Sequence, residues 1–240
     1  MGAGEVAVNY GELYAKGVSS RYAAEGYVGI HYRLPKFAKL FCDAFSSKGP
    51  LDVLELGAGI GEMHDLITKT CPLCLASYTV SELAQEAVDM MTARGLRAVR
   101  LDACQLQEED DSYDVVCCFD VMHHVEFPRR MAQEMLRVSR RWVYLCEANG
   151  ISVVRKAGEL GARARQFGER SYSPRGYRSF FEGPLMRSIR IRPFYFLVPP
   201  GVGRRLVPVF TAISEVGERI PLLRWQSQSV ELLVEKRAMG

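Results

Sequence analysis

Short apolar runs alternate along this chain with stretches in which apolar residues recur every three or four positions. The runs VLEL, CLASYTV, AVRLDA, SYDVVCCF and WVYLCEA read as buried strands. Between them, amphipathic helices are predicted over 61–70, over 83–94 with Gly95 as the C-terminal cap, and up to Leu136-Arg137-Val138. Ahead of the first strand, residues 10–45 read as helical. Pro35 suits a first helical turn, and Phe37, Leu40, Phe41 and Phe45 recur at core spacing. After Asn149 the pattern loosens into a basic helix over 151–167, weakened by Gly158 and Gly161. A short helix from Ser173-Pro174 to about 181 follows, then a half-exposed strand over 187–192. VPPGVG reads as a turn or linker, and a helix over 204–219 is predicted to kink or break near Pro208. SQSVELLVEKR closes the chain as a strand. Strands alternating with helices imply an α/β fold, an open and mostly parallel sheet covered on both faces. Ligands on such sheets bind at the carboxyl ends of the strands.

Composition narrows this picture without changing it. The chain has 240 residues, 48% hydrophobic and 25% charged, as expected of one globular domain with at most a lid. No apolar run approaches the ~20 residues that span a bilayer, and the N-terminus lacks the blocks of a secretory signal, so a cytoplasmic protein is expected. Seven cysteines in a chain this long make no disulfide scaffold, and Cys104, Cys117, Cys118 and Cys146, among apolar neighbours, are expected to be buried reduced thiols. The Cys71/Cys74 C-x-x-C has no second pair at finger spacing, so no metal site is expected. Charge is uneven: residues 1–150 carry 15 basic and 21 acidic side chains, whereas 151–205 carry 12 and 3. The basic stretch reads as a solvated helical surface and leaves room for contact with a membrane surface or an anionic partner.

The most informative stretch is VLELGAGIGE, residues 53–62. Gly57, Gly59 and Gly61 stand where a buried strand turns into a helix, and let a ligand lie against bare backbone near the helix N-terminus. Glu55, at the strand's carboxyl end, supplies a carboxylate that can pair with a ligand's ammonium group. A dinucleotide site would place the third glycine one residue later, and no Lys-Ser or Lys-Thr follows as a P-loop needs.

This stretch resembles motif I of the class I S-adenosylmethionine (SAM)-dependent methyltransferases, and the match extends through the HH pair and the fifth strand. It is specific over about 50–150, most similar to the broad type 11 family of small-molecule methyltransferases that includes quinone-biosynthesis enzymes. The resemblance implies a Rossmann-like, seven-stranded sheet whose last strand is antiparallel, with helical insertions after strands five and six. It implies a helical cap over 1–47 and a cofactor domain over 48–240 that carries the basic insertion at about 151–183. It implies SAM as cofactor and S-adenosylhomocysteine as product. Glu55, Gly57, Ala58, Gly59 and Gly61 would meet the methionine part, Thr79 and Val80 the ribose, and Asp102 and Ala103 the adenine. Main chain at Cys118 and Phe119 would also touch the methionyl part. Thr79 stands where the family usually has an acid, and Glu82 is three residues on.

Where the acceptor must lose a proton, His123, His124 and His31 are the candidate bases. Asp120 and Glu147 are further polar candidates. Tyr27, His31, Tyr32, Arg33, His123 and Glu147 are the expected acceptor-binding residues. No three-ligand metal constellation is expected, which argues against a magnesium-dependent mechanism. The expected partner is a small-molecule acceptor, an oxygen of a natural product, sugar or lipid-like metabolite, and the chain is expected to be a monomer or homodimer that does not bind nucleic acid. Two alternatives stay open: a nucleic-acid- or membrane-associated methyltransferase using 151–205, and an inactive binding subunit of the same fold.

Overall fold

The computed structural model describes residues 29–160, 170–197 and 202–237. A five-residue π turn, Gly29–Arg33, leads into α1 (Leu34–Phe45). Then follow β1 (Leu51–Leu56), α2 (Glu62–Thr70), β2 (Leu75–Glu82), α3 (Gln85–Ala93), β3 (Arg97–Arg100), β4 (Tyr113–Phe119), α4 (Pro128–Val138) and β5 (Ser139–Ala148). The C-terminal part adds α5 (Val153–Glu159), α6 (Pro174–Phe181), β6 (Met186–Phe194), α7 (Val207–Arg219), α8 (Pro221–Arg224) and β7 (Ser229–Lys236). The seven strands lie in the order β3-β2-β1-β4-β5-β7-β6. β1 to β5 pair in parallel, and β7 runs antiparallel to both its neighbours. This is the Rossmann-like arrangement expected of the class I fold.

Alternate residues of each strand feed two separate cores. Val53, Val80, Val115, Phe119 and Tyr144 face one side, where α1 and α2 pack. Leu54, Val116, Val143, Leu145 and Leu232 face the other, against Met131 and Met135 of α4 and Tyr177 and Phe181 of α6. Both faces are covered, so the strands read as continuous apolar runs.

α1 is built into the first core. Phe37, Phe41 and Phe45 follow one another at four-residue intervals, so they share a face. Phe41 meets Tyr144 edge-on at 5.3 Å, and Phe45 meets Trp142 at 5.8 Å. Residues 34–45 therefore carry part of the sheet's own core. The rest of the expected cap, residues 1–28, lies outside the described residues.

The cysteine expectation needs correction. Cys42 on α1 and Cys71 just beyond α2 form a disulfide, with Cα atoms 5.9 Å apart. Because α1 and α2 lie side by side, two residues 29 positions apart come within bonding range. Cys74, Cys104, Cys117, Cys118 and Cys146 are free thiols.

Three element boundaries also moved. β2 continues to Glu82, and β3 stops at Arg100 because Asp102 turns the chain by accepting from the Cys104 N–H at 2.8 Å. Pro208 stands in the first turn of α7 and does not break it, since an N–H there needs no helical partner. β6 is an edge strand, and Arg187 and Arg192 pair with Glu235 and Glu231 of β7. Charged side chains along an edge block pairing with another chain. Among the described residues, no helix is long and apolar enough to cross a membrane.

Candidate active site

The carboxyl ends of β1 to β4 form one rim, and the loop after β1 begins it. Gly57, Gly59 and Gly61 all have positive φ, at 67°, 63° and 87°. A Cβ at Gly57 would fall 2.7 Å from a Val121 methyl, and one at Gly61 would fall 2.5 Å from Leu96. Backbone strain and lack of space both require glycine at these two positions. The Ala58 N–H donates to the Ser81 carbonyl (2.9 Å), and Arg94 braces the loop by donating to the Ile60 carbonyl while pairing with Asp65. α2 starts at Glu62, so its first N–H groups open toward the loop.

Glu55 is buried on β1, where Tyr78 donates to its Oε2 at 2.9 Å. Burial pushes its carboxyl up to about 8; the Tyr78 hydrogen bond opposes this, while Glu62, Glu82 and Asp65 add to the rise. Beside a cation such as an ammonium group, the same carboxyl would ionise.

Thr79 lies one position short of Glu55 along the sheet, and Val80 lies level with it. Thr79 pairs with Leu54 of β1 and Arg97 of β3, Val80 pairs with Glu55, and both are buried inside the sheet. The cause is the later end of β2: Ser81 is buried and donates to the Glu55 carbonyl at 2.9 Å, so the strand runs on. Glu82 is the terminal residue, half-buried, and its carbonyl accepts from the Leu101 N–H at 3.1 Å. An acid thus stands at the end of β2, three positions beyond Thr79. Asp102 is exposed close to it, and Ala103 is half-buried. Cys118 and Phe119 point their side chains into the two cores, leaving main chain as what they offer the rim.

Beyond β4 the chain turns through Asp120, whose φ is 56°. Its Oδ2 lies 2.6 Å from Arg33 Nη2, which fastens the turn before α1 to the rim. Arg33 is buried and committed to this pair. Glu147, at 0% exposure, accepts from the Val121 and Met122 N–H groups through Oε1 (2.9 and 2.8 Å) and lies 2.7 Å from His123 Nδ1 through Oε2. Burial, reinforced by Asp120, pushes its carboxyl up to about 7 against those two amides and His124. His123 is fully enclosed; His124 is half-buried with its ring 4.1 Å away, and His31 is exposed on the turn before α1. The Tyr32 ring packs tilted against that of Tyr195 at 5.4 Å, and its buried hydroxyl has no hydrogen-bond partner. Tyr27 lies outside the described residues.

The expectation of no three-ligand cluster is overturned, because Asp120, His123 and Glu147 bring possible ligand atoms within 4.8 Å of one another. Glu147 is engaged by two amides and His123, and Asp120 Oδ2 by a guanidinium, so a cation would have to displace these bonds. The cluster is a hydrogen-bonded brace at the end of β4, poorly suited to a cation.

The rim is acidic throughout, from Glu55 and Glu62 to Glu82, Asp102 and Asp120. A dinucleotide's pyrophosphate would meet Glu62 at the helix N-terminus, where an anion site needs unopposed N–H groups. An elongated cation with a nucleoside end fits far better. The family model described as "Methyltransferase domain" matches residues 54–146, which span β1 to β5. Over this stretch the chain carries the pattern of a methyltransferase domain. SAM, cationic at its sulfur and at its amino group, is the donor that the acidic rim fits. The phthiotriol/phenolphthiotriol dimycocerosates methyltransferase of Mycobacterium tuberculosis is 36% identical over 96 residues, 38% of this chain and 35% of that protein. The chain thus matches about a third of the length of its curated relatives. Among solved structures, a SAM-dependent methyltransferase of Thermotoga maritima, described as a possible histamine N-methyltransferase, superposes with a TM-score of 0.64. It is 13% identical, with 95% of this chain and 98% of that one covered. The magnesium protoporphyrin IX methyltransferase of Synechocystis, with bound S-adenosylhomocysteine, gives 0.59 at 16% identity over 95% and 92%. These two likenesses concern the fold.

Proposed function

We propose that the chain transfers a methyl group from SAM to an oxygen of a small, lipid-like acceptor. The observation that carries this reading is the acid-lined rim, where a buried carboxyl at Glu55, a half-buried one at Glu82 and an exposed one at Asp102 flank a left-handed glycine turn. Glu55 would hold the amino group, the glycine turn the carboxylate end through its N–H groups, Glu82 the ribose and Asp102 the adenine. The bound donor supplies an electrophilic methyl on a positive sulfur. The chain's task is then alignment, since an in-line displacement gains most from fixed geometry.

His124 is the better-placed base of the pair, because His123 is enclosed and tied to Glu147 while His124 keeps partial exposure. The buried Tyr32 hydroxyl, without a partner, suits an acceptor's polar atom under an otherwise aromatic cover of Tyr32 and Tyr195. The relative that methylates phthiotriol lipids supports an apolar acceptor. The ion pairs that engage Arg187 and Arg192 weigh against nucleic acid on that edge.

Titration calorimetry with S-adenosylhomocysteine, followed by labelled methyl transfer onto a panel of lipid alcohols, tests the reading. Binding that disappears in Gly59→Val, with label recovered in an ether, is the expected result. Tight binding without transfer to any alcohol or phenol would leave only the inactive subunit.

A further inference from the structure

The described residues expose sixteen large apolar side chains, and twelve of them fall in just two stretches, 151–160 and 206–225. On α7 they form a stripe: Leu206, Val209, Ile213, Val216 and Ile220 recur at helical spacing, each two-fifths or more exposed. Leu222 of α8 extends it at 86% exposure. A helix normally turns such a stripe inward. This one buries Val207, Ser214 and Gly217 instead. Gly217 sits so close on the Phe196 ring that no side chain fits, and the buried Ser214 hydroxyl accepts from the Leu197 N–H at 3.4 Å. The helix is therefore held with its small residues inward and its large apolar ones outward.

The second stretch joins the first. Asn149 donates to the carbonyls of Trp225 and Ser227 (3.0 and 2.7 Å), and Ser152 donates to that of Gln226 (2.8 Å). The start of α5, with Val153 71% exposed, thereby abuts the exposed Trp225. A shallow groove of about 340 Å³, walled by Phe196, Ile213, Val216 and Leu223, runs along α7. A continuous apolar face of this extent marks an interaction surface.

Its borders are basic. Arg205 precedes α7, Arg219 ends it, and Arg224 follows in α8. Of the nearby acids, Glu218 is engaged by Lys36 and Glu159 by Lys156, leaving Glu215 against them. A second copy would set these arginines against their like. An anionic lipid surface complements them, taking the aliphatic stripe into its acyl boundary while the arginines reach its headgroups. We propose that the α7–α8 face, with the start of α5, seats the chain on an anionic lipid bilayer as a peripheral protein.

The face is tied to the rim. Glu218 of α7 accepts from the Tyr195 N–H at 2.8 Å, and Tyr195 packs against Tyr32 and lies under the Arg33 guanidinium, which holds Asp120. Resting on the reading of the chain as a lipid methyltransferase, docking would bring the acceptor side to the source of its substrate.

Flotation with phosphatidylcholine vesicles, with and without phosphatidylglycerol, tests this. The chain should float with the anionic vesicles only, and added salt should weaken the binding. The double variant Val209→Asp/Val216→Asp should lose at least about tenfold in vesicle affinity. Leu73→Asp, at the most exposed apolar residue elsewhere, should bind as the parent does. Retained S-adenosylhomocysteine binding in the double variant shows that it is folded. No flotation of the parent, or equal loss in both variants, overturns the proposal. So does a dimer in solution that the double variant dissolves while the parent ignores vesicles. Vesicle binding without methyl transfer would sink the functional reading alone, and transfer to a detergent-dispersed acceptor without vesicle binding would sink this one alone.

Discussion

Arg33 Nη2 lies 2.6 Å from Asp120 Oδ2, and both side chains are nearly closed to solvent. The guanidinium also lies over the Phe37 and Tyr195 rings, at 5.4 and 5.8 Å. The pair joins the entry to α1 with the left-handed turn that ends β4, so it fixes the position of both. Removing one partner of such a buried pair strands the other charge, which typically costs ~3–5 kcal/mol. Arg33→Met and Asp120→Ala should each lower the free energy of unfolding in urea by about that much. The double variant Arg33→Met/Asp120→Ala should lose clearly less than the two losses added together. Simple additivity would show that the two residues act independently.

Much of this was legible in the sequence because parallel strands covered on both faces must be continuously apolar. Phe37, Phe41 and Phe45 betrayed α1 by the same periodic argument, and the three glycines marked the turn. What stayed hidden was whatever depends on register or on distant partners. Ser81 is polar and yet lies inside β2, donating to the Glu55 carbonyl, so a polarity pattern ends the strand near Val80 and leaves Glu82 outside it. The register of β2 on β1 supplies the missing position, since Leu56 pairs with Ser81 and leaves Glu82 one step beyond. Nothing near Arg33 or Cys42 along the chain announces Asp120 or Cys71. Such pairs exist only once helices and strands are packed.

Register therefore makes a prediction about the donor. Glu82 ends β2 at the rim, while Thr79 is enclosed between Leu54 and Arg97. A hydrogen bond to a charged group contributes ~1.5–3 kcal/mol. Glu82→Ala should weaken S-adenosylhomocysteine binding by roughly tenfold to a hundredfold by that measure. Thr79→Val, which keeps the buried volume, should leave the affinity within about twofold, a difference of only a few tenths of a kcal/mol. Calorimetry on both variants decides it, and the reverse ranking would restore Thr79 as the ribose residue.

Glu55 gives the donor-free protein a pH dependence of definite sign. Its carboxyl is raised from 4.5 to about 8, chiefly by burial, so the native state holds a proton that the unfolded state has released. The stability contributed is fully present below pH 4.5 and is lost as the pH rises through 8. Glu147, raised to about 7, acts in the same direction. Thermal unfolding should show stability falling across this window, and Glu55→Gln should flatten the slope. Donor binding near neutral pH should release protons as the ammonium group stabilises the carboxylate. Calorimetry in buffers of different ionisation enthalpy measures that release, and a binding heat independent of buffer would mean Glu55 does not face the ligand's cation.

The Cys42–Cys71 disulfide ties α1 to the end of α2, and the chain it closes, 29 residues in separation, contains β1 and the whole glycine turn. Cross-linking a loop of this length restricts the unfolded chain by ~3–4 kcal/mol on the chain-entropy account. Dithiothreitol should therefore lower the melting temperature by several degrees. The Cys42→Ala/Cys71→Ala variant should melt at the reduced temperature and no longer respond to the reductant. Because the bond brackets the donor loop, reduction should also weaken S-adenosylhomocysteine binding through the loosened α1–α2 contact. Cys74, whose sulfur lies 2.7 Å from that of Cys71, is placed to exchange into the bond. Peptide mapping without reductant should accordingly find Cys42 linked to Cys71, and the same linkage in Cys74→Ser. Recovery of all three as free thiols from carefully oxidised protein, with a melting temperature indifferent to dithiothreitol, would leave the chain without a disulfide, as its composition suggested.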